Sequence, residues 1–396
     1  MSTPLSRALP TLNPRMLHAA LFCFRPEGRW GLPLLIWGDP GTGKTAFAAA
    51  VARAIEGFEF FRISPAERGE GQFGVVPVPG ADGLLHYPPP DWVSQLDKGG
   101  LLFIDEVSTA GPALQAPLLG AVQLGVIGSH TLAQRVRILG AANETIDAAG
   151  GWDLARSLDN RFGHVQYDGM PHKDWTLGFV TGFGRDDAPT INAAVEEARV
   201  LEAWPAADGW ARGMLAGFLD RREEVLHKKP AKGDPAKAWP SRRTWEYAAC
   251  ALAAARIHGL DEIETDGLMA AFVGWGPVSE FATWRHDADL PDPAEYLDGR
   301  VTFEHDPRRL DRTLAFLTSC AATVRPKNAD KRKERAGVCW RLVQKVAEHS
   351  VSAVFPASIM LVKGGLTALP EARPALIKLQ PVLEAAGVRV KPDSQP

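Results

Sequence analysis

The sequence predicts an α/β fold: a P-loop core on a parallel, doubly wound five-stranded sheet, then an α-helical lid and a C-terminal α-helical extension. Three observations carry this expectation. Short apolar runs alternate with helical segments over residues 34–167, the pattern that parallel strands and their crossover helices produce. The run Leu34-Leu35-Ile36-Trp37 leads directly into Gly38-Asp39-Pro40-Gly41-Thr42-Gly43-Lys44-Thr45, a complete phosphate-loop motif. From about residue 171 the composition shifts to Ala, Trp and charged residues with helical period.

Taken in order, residues 1–13 read as a loose arm and 14–24 as a short helix. Strands are expected at Leu34–Trp37, 58–63, 101–104, Val136–Ala142 and 164–167, with the site at their C-terminal ends. An Ala-rich amphipathic helix over 45–55 follows the phosphate loop and closes near Gly57. Two interruptions stand out. Residues 65–90 are rich in Gly and Pro with short β-like pieces such as 74–78, and residues 126–132 read as a hairpin. Pro117 lies inside a helix over 112–124 and predicts a kink.

Beyond residue 171, helices over 190–203, 210–227 and 243–258 would form the lid, and 227–237 a Lys/Pro/Gly-rich connector. Helices resume after Asp292-Pro293, where Cys339, Leu342, Val343 and Val346 fall at i, i+3, i+4 and i+7 on one apolar face. Residues 325–335 hold six basic and two acidic residues. That run reads as a solvated helix start rather than a grip for nucleic acid or an acidic partner. Residues 391–396 read as a frayed tail. The expected domains are 1–170 (nucleotide-binding α/β, with an insertion at about 65–95), 171–292 (lid) and 293–396 (extension).

The chemistry concentrates in five places. In the loop Asp39-Pro40-Gly41-Thr42-Gly43, glycines turn backbone N–H groups inward around phosphate oxygens, and the following helix adds its positive end. Lys44 can reach the β- and γ-phosphates, and the Thr45 hydroxyl can take one Mg²⁺ position. The run Leu101-Leu102-Phe103-Ile104 ends in Asp105-Glu106, a Walker B pattern: Asp105 would hold Mg²⁺ through its water shell, and Glu106 would polarise the attacking water. Asn143, at the tip of the Val136–Ala142 strand, can orient water without adding charge. In Leu158-Asp159-Asn160-Arg161-Phe162, Arg161 can supply a cation to phosphoryl transfer, with Arg156 the competing candidate. Ser241-Arg242-Arg243-Thr244-Trp245-Glu246 opens a helix in another part of the chain, where Arg243, or Arg242, can bridge the lid to nucleotide.

Together these stretches resemble a MoxR-type AAA+ ATPase, of the clade with an insertion in its second helix. Further matching stretches are Phe73-Gly74-Val75-Val76-Pro77-Val78-Pro79, Pro88-Pro89-Pro90-Asp91-Trp92 and Asp105-Glu106-Val107-Ser108-Thr109-Ala110. The resemblance is strong over about 30–170, moderate to about 300 and thin beyond. It implies an AAA+ core in which Asn143 is a sensor, Arg161 a finger reaching the neighbouring subunit and Arg243 the lid sensor. Members usually carry Pro before that lid Arg, where this chain has Arg242. The resemblance further implies a homo-oligomeric ring, usually of six subunits, and ATP with Mg²⁺. It also implies a protein client and a partner with a von Willebrand A domain.

At 396 residues the chain can bury two or three cores. A net charge of −3 gives no general attraction to nucleic acid or anionic membrane. Four cysteines stand far apart without zinc spacing, as small buried residues of a reduced compartment do. The polar, Pro-rich start lacks the apolar core of a signal peptide, and no run reaches a membrane-spanning length. The expectation is a soluble cytoplasmic protein. Its leading function is an ATP-driven remodelling machine, ahead of a nucleic-acid-directed motor and a nucleotide-gated scaffold with little turnover.

Overall fold

The computed structural model describes residues 9–65, 67, 73, 76–143, 152–183, 191–231, 237–326 and 331–388. Most of the expected arm, the frayed tail, Gly74-Val75 of the insertion, 232–236 of the connector and 327–330 of the basic run lie outside the described residues.

Five strands form one sheet: β1 (Leu34–Trp37), β2 (Glu59–Ile63), β3 (Gly100–Ile104), β4 (Val136–Ala142) and β5 (Gly163–Gln166). Their order is β5-β1-β4-β3-β2, and every pairing is parallel. β1, β3 and β4 bury all their residues, which explains why they read as continuous apolar runs instead of alternating ones. Edge strand β2 is more exposed. The parallel register brings Gly38, Asp105 and Asn143, each just past its strand, to the same edge. This is the architecture expected from the sequence, within about one residue at each strand.

Helices flank the sheet. α1 (Pro14–Leu21) starts at Asn13, whose side chain accepts from the Met16 N–H, with Pro14 in the first turn. α2 (Lys44–Arg53) rises directly from the phosphate loop. α3 (Pro112–Leu124) continues through Pro117, which therefore does not end it. α4 (Arg156–Asp159) precedes β5 and α5 (His172–Thr181) follows it. The expected hairpin pairs Val126–Ile127 with His130–Thr131, and the insertion forms a second, Val78–Pro79 with Leu85–His86.

The chain divides into two units, Met1–Val200 with Lys228–Gly276, and Leu201–His227 with Pro277–Pro396. The 171–292 segment contributes to both. α6 (Ala193–Arg221) is one helix of 29 residues where two were expected, over 190–203 and 210–227. Pro205 and Gly209 lie inside the helix without ending it, and Gly209 serves packing: a Cβ there would stand 2.3 Å from the Ala322 Cβ.

In the first unit, α7 (Arg242–His258) and α8 (Glu262–Val273) complete the fold. Ser241 and Thr244 form a capping box that starts α7. α9 (Trp275–Ala288) leads into the second unit, where α10 (Pro293–Leu297), α11 (Leu310–Val324), α12 (Arg332–Ala347), α13 (Val351–Lys363) and α14 (Ala372–Ala385) share one apolar core. Cys339, Leu342, Val343 and Val346 all point into it. All four cysteines are buried, and none is in a disulfide. Two arginines of the basic run are engaged inside this unit: Arg332 donates to the Gly364 carbonyl at 2.6 Å, and Arg335 to both Asp298 oxygens at 2.8 and 2.9 Å. Among the described residues, no helix is long and apolar enough to cross a membrane.

One buried ion pair ties α6 to the sheet. Arg137 on β4 is fully buried, its guanidinium within 4.7 to 5.4 Å of the Phe58, Trp30 and Phe22 rings. It meets Glu197 at 2.5 Å and donates to the Leu21 carbonyl at 3.1 Å. Burial lowers its pKa to about 10, opposed by the Glu197 carboxylate. Removing one partner of such a pair costs far more than replacing both. We expect Glu197→Ala to lose about 3–5 kcal/mol, and Glu197→Leu combined with Arg137→Met to lose less. Urea unfolding of the full chain measures both, and equal losses would contradict the account.

Candidate active site

The phosphate loop leaves β1 at Gly38 and enters α2 at Lys44 through Gly41 (φ 82°) and Gly43 (φ 89°). Both lie in the left-handed region, where only glycine turns freely. Asp39 and Pro40 form the exposed outer part of the loop, and the Thr42 hydroxyl donates to the Asp39 carbonyl at 2.9 Å.

Lys44 is 8 % exposed. Its Nζ donates to the carbonyls of Gly38 at 2.7 Å and Asp39 at 2.9 Å, and to Asn143 Oδ1 at 2.7 Å. That is one acceptor for each ammonium proton. Burial lowers its pKa, while Asp105 and Asp39 act to raise it. A positive charge thus sits at the mouth of a backbone loop turned by two glycines, which is how a protein holds a polyphosphate.

Asp105 gathers three donors. Its Oδ2 accepts from Thr45 Oγ1 and from Arg62 Nε, each at 2.8 Å, and its Oδ1 accepts from the Glu106 N–H at 3.0 Å. Thr45 and Asp105 therefore present a hydroxyl and a carboxylate side by side, a hard-oxygen set that suits Mg²⁺. Arg62 also binds both Glu67 oxygens at 2.9 Å. Its pKa is raised, first by Glu67 and then by Asp105.

Glu106 adopts φ 51°, an uncommon conformation for a residue with a side chain, of the kind that clusters at functional sites. The strained backbone directs its carboxylate to Ser64 Oγ at 3.1 Å, and its carbonyl accepts from the Thr109 N–H and hydroxyl, both at 2.8 Å. Lys44, Thr45, Asp105, Glu106 and Asn143 thus stand together at one edge of the sheet.

Arg161 and Arg243 do not join them. Arg161 lies in the turn before β5, at the opposite edge, donating to Gln123 Oε1 at 2.7 Å and the Ser157 carbonyl at 2.6 Å. Four residues of β1, about 13 Å of strand, lie between the level of that turn and Gly38. Arg243 donates to Asn160 Oδ1 at 3.3 Å, which also accepts from Ser241 Oγ at 2.9 Å. Burial lowers the Arg161 pKa, and the neighbouring Arg243 charge adds to this. The lid arginine expected beside the nucleotide loop therefore stands beside Arg161, because the capped start of α7 is fastened to Asn160. The competing Arg156 approaches Asp159 at 3.9 Å.

Sequence reasoning missed Arg62, Ser64 and Gln123. The signal for the first two was a charged residue inside an apolar strand and a small hydroxyl at its tip. For Gln123 there was none.

A buried chain of hydrogen bonds connects β1 to the Arg161 turn. Trp37 Nε1 donates to His164 Nδ1 at 3.0 Å, so His164 Nε2 carries the hydrogen and donates to the Asp159 carbonyl at 2.9 Å. Desolvation pushes the His164 pKa down to about 4 and that of the Asp159 carboxyl up to about 7. The signs oppose. Stability from His164 is present above its unfolded pKa, about 6.5, and lost as pH falls toward 4; stability from Asp159 is present below about 4 and lost as pH rises through 7. We expect His164→Gln to flatten the acid limb of stability between pH 4 and 6.5, and Asp159→Asn the fall between pH 4 and 7. Unfolding across this range measures both; unchanged slopes would contradict the assignment.

Residues 34–149 match the family model described as "ATPase family associated with various cellular activities (AAA)". No curated protein matches the chain. Among solved structures, a proposed ATPase from Cytophaga hutchinsonii is similar at 11 % identity and TM-score 0.40, over 73 % of this chain and 88 % of that one. A full-length MCM homologue from Methanopyrus kandleri is similar at 16 % identity and TM-score 0.39, over 68 % of this chain and 53 % of that one. The family match covers β1 to β4 with the phosphate loop, Asp105, Glu106 and Asn143, so over this part the fold is that of an AAA core.

Proposed function

We propose that the chain is an Mg²⁺-dependent, ATP-hydrolysing machine of the MoxR type. It works as a homo-oligomeric ring, with six as the family number, and does conformational work on a protein client. A von Willebrand A domain protein is the proposed partner. The observation that carries the reading is the division of charge between two sheet edges. The loop, Lys44, Asp105 and Glu106 occupy one edge, and Arg161 with Arg243 the other. An arginine held at the far edge serves a site on another copy of the chain.

In this reading the backbone of Asp39, Pro40, Gly41, Thr42 and Gly43 and the Lys44 ammonium hold the phosphates. Thr45 and Asp105 would hold Mg²⁺, which neutralises phosphate charge when bound. Asn143 orients the attacking water, and Glu106 takes its proton as oxygen bonds to the γ-phosphorus and the bond to the ADP oxygen breaks. Arg161, with Arg243 beside it, approaches from the next subunit and stabilises the charge of the transferring group. Arg62 keeps Asp105 aimed, and Ser64 anchors Glu106.

Lys44→Ala is expected to abolish nucleotide binding. Glu106→Gln should bind ATP yet turn over at least about 100-fold more slowly. Arg161→Ala should assemble yet lose about 1,000-fold in rate. Equilibrium binding and phosphate release measure these. Normal turnover by Arg161→Ala with a slow Arg156→Ala would move the finger to Arg156. The specific rate should climb with protein concentration as subunits meet; a monomer that is active without assembly would overturn the ring.

A further inference from the structure

His18 on α1, Glu196 on α6 and His258 at the end of α7 bring three ligand atoms within 4.8 Å of one another, none of them on the strand or helix that flanks the nucleotide loop. We propose that this cluster binds a zinc-class divalent cation through His18 Nε2, Glu196 Oε1 and His258 Nδ1. The inference does not depend on the ATPase reading.

The separations suit a metal. Glu196 Oε1 lies 3.0 Å from His18 Nε2 and 3.4 Å from His258 Nδ1. Metal–ligand bonds of about 2.0–2.1 Å place tetrahedral ligands about 3.3 Å apart. Two imidazoles and one carboxylate are the donor set that zinc takes when it keeps a fourth position open.

The protonation of His258 is right as it stands. Arg199 Nη2, a donor only, lies 3.1 Å from His258 Nδ1, so Nδ1 offers its lone pair to the cluster. The hydrogen is then on Nε2, which is buried, directed at the Phe22 backbone and without a hydrogen bond of ordinary geometry. A ligating histidine turns its second nitrogen to the protein in this way. Metal binding at His18 Nε2 takes the tautomer with its hydrogen on Nδ1, which frees the Nε2 lone pair for the ion.

The cluster is already built around a cation. Arg199 Nη2 sits 2.7 Å from Glu196 Oε1, and its Nε 2.9 Å from Oε2. This guanidinium touches two of the three proposed ligand atoms, so arginine and metal compete for one place. The Arg199 side chain is 47 % exposed and can swing into solvent, leaving a path to the ligands.

The test is a Co²⁺ titration of the chelator-treated full chain without nucleotide, followed by visible absorption and then by Zn²⁺ displacement. We expect saturation at one ion per chain, with the bands of a four- or five-coordinate nitrogen and oxygen site. Binding should be lost in His258→Ala and unchanged in Thr45→Ala, and Arg199→Ala should tighten it at least tenfold by removing the competitor. If His258→Ala does not fold, His18→Ala, at a part-exposed position, reads the same loss. No saturable binding by the natural chain, or binding that survives His18→Ala, overturns the proposal.

Discussion

A parallel sheet sends the C-terminal ends of all its strands to one edge, and the candidate site rests on that constraint. β1 delivers the phosphate loop there, β3 delivers Asp105 and Glu106, and β4 delivers Asn143. No loop has to travel to assemble the group. Lys44 and Asn143, 99 residues apart in sequence, meet at 2.7 Å because their strands are register neighbours. Asp105 is the hub: one oxygen takes Thr45 and Arg62 together, and the other takes the Glu106 backbone. A carboxylate held by three donors is fixed in direction, as a metal-holding group must be.

The same geometry separates Arg161 from this edge. The turn holding it begins β5, and a strand's beginning faces away from its end. Arg161 is kept in place by Gln123 and the Ser157 carbonyl, and Arg243 by Asn160. Two cations so close, and each partly shielded from water, are costly without an anion nearby. In the proposed ring, a phosphate presented by another subunit would meet that need. The Trp37–His164–Asp159 chain runs from the residue before the phosphate loop to the turn carrying Arg161. It gives the two edges a buried, hydrogen-bonded connection within one chain.

Much of this was legible in the sequence, for physical reasons. β1, β3 and β4 are buried on both faces, so their sequences are unbroken apolar runs. The phosphate loop announces itself because only glycine turns at positions 41 and 43. Less legible were features set by tertiary contact. Pro205 and Gly209 look like a helix break, but the close approach of Ala322 requires the glycine within one continuous α6. The partners of Asp105 and Glu106, Arg62 and Ser64, come from a neighbouring strand, and spacing along the chain carries no trace of strand order. The placement of Arg243 beside Arg161 depends on Asn160, which read only as part of a turn.

Mixing two inactive variants tests the central claim, that each site is completed by another subunit, most directly. Arg161→Ala lacks the finger but keeps Glu106; Glu106→Gln lacks the base but keeps Arg161. Co-assembled, they should recover part of the ATPase activity that each lacks alone, because some sites then pair an intact Glu106 with an intact Arg161. No recovery in assemblies shown to contain both chains would contradict the shared site.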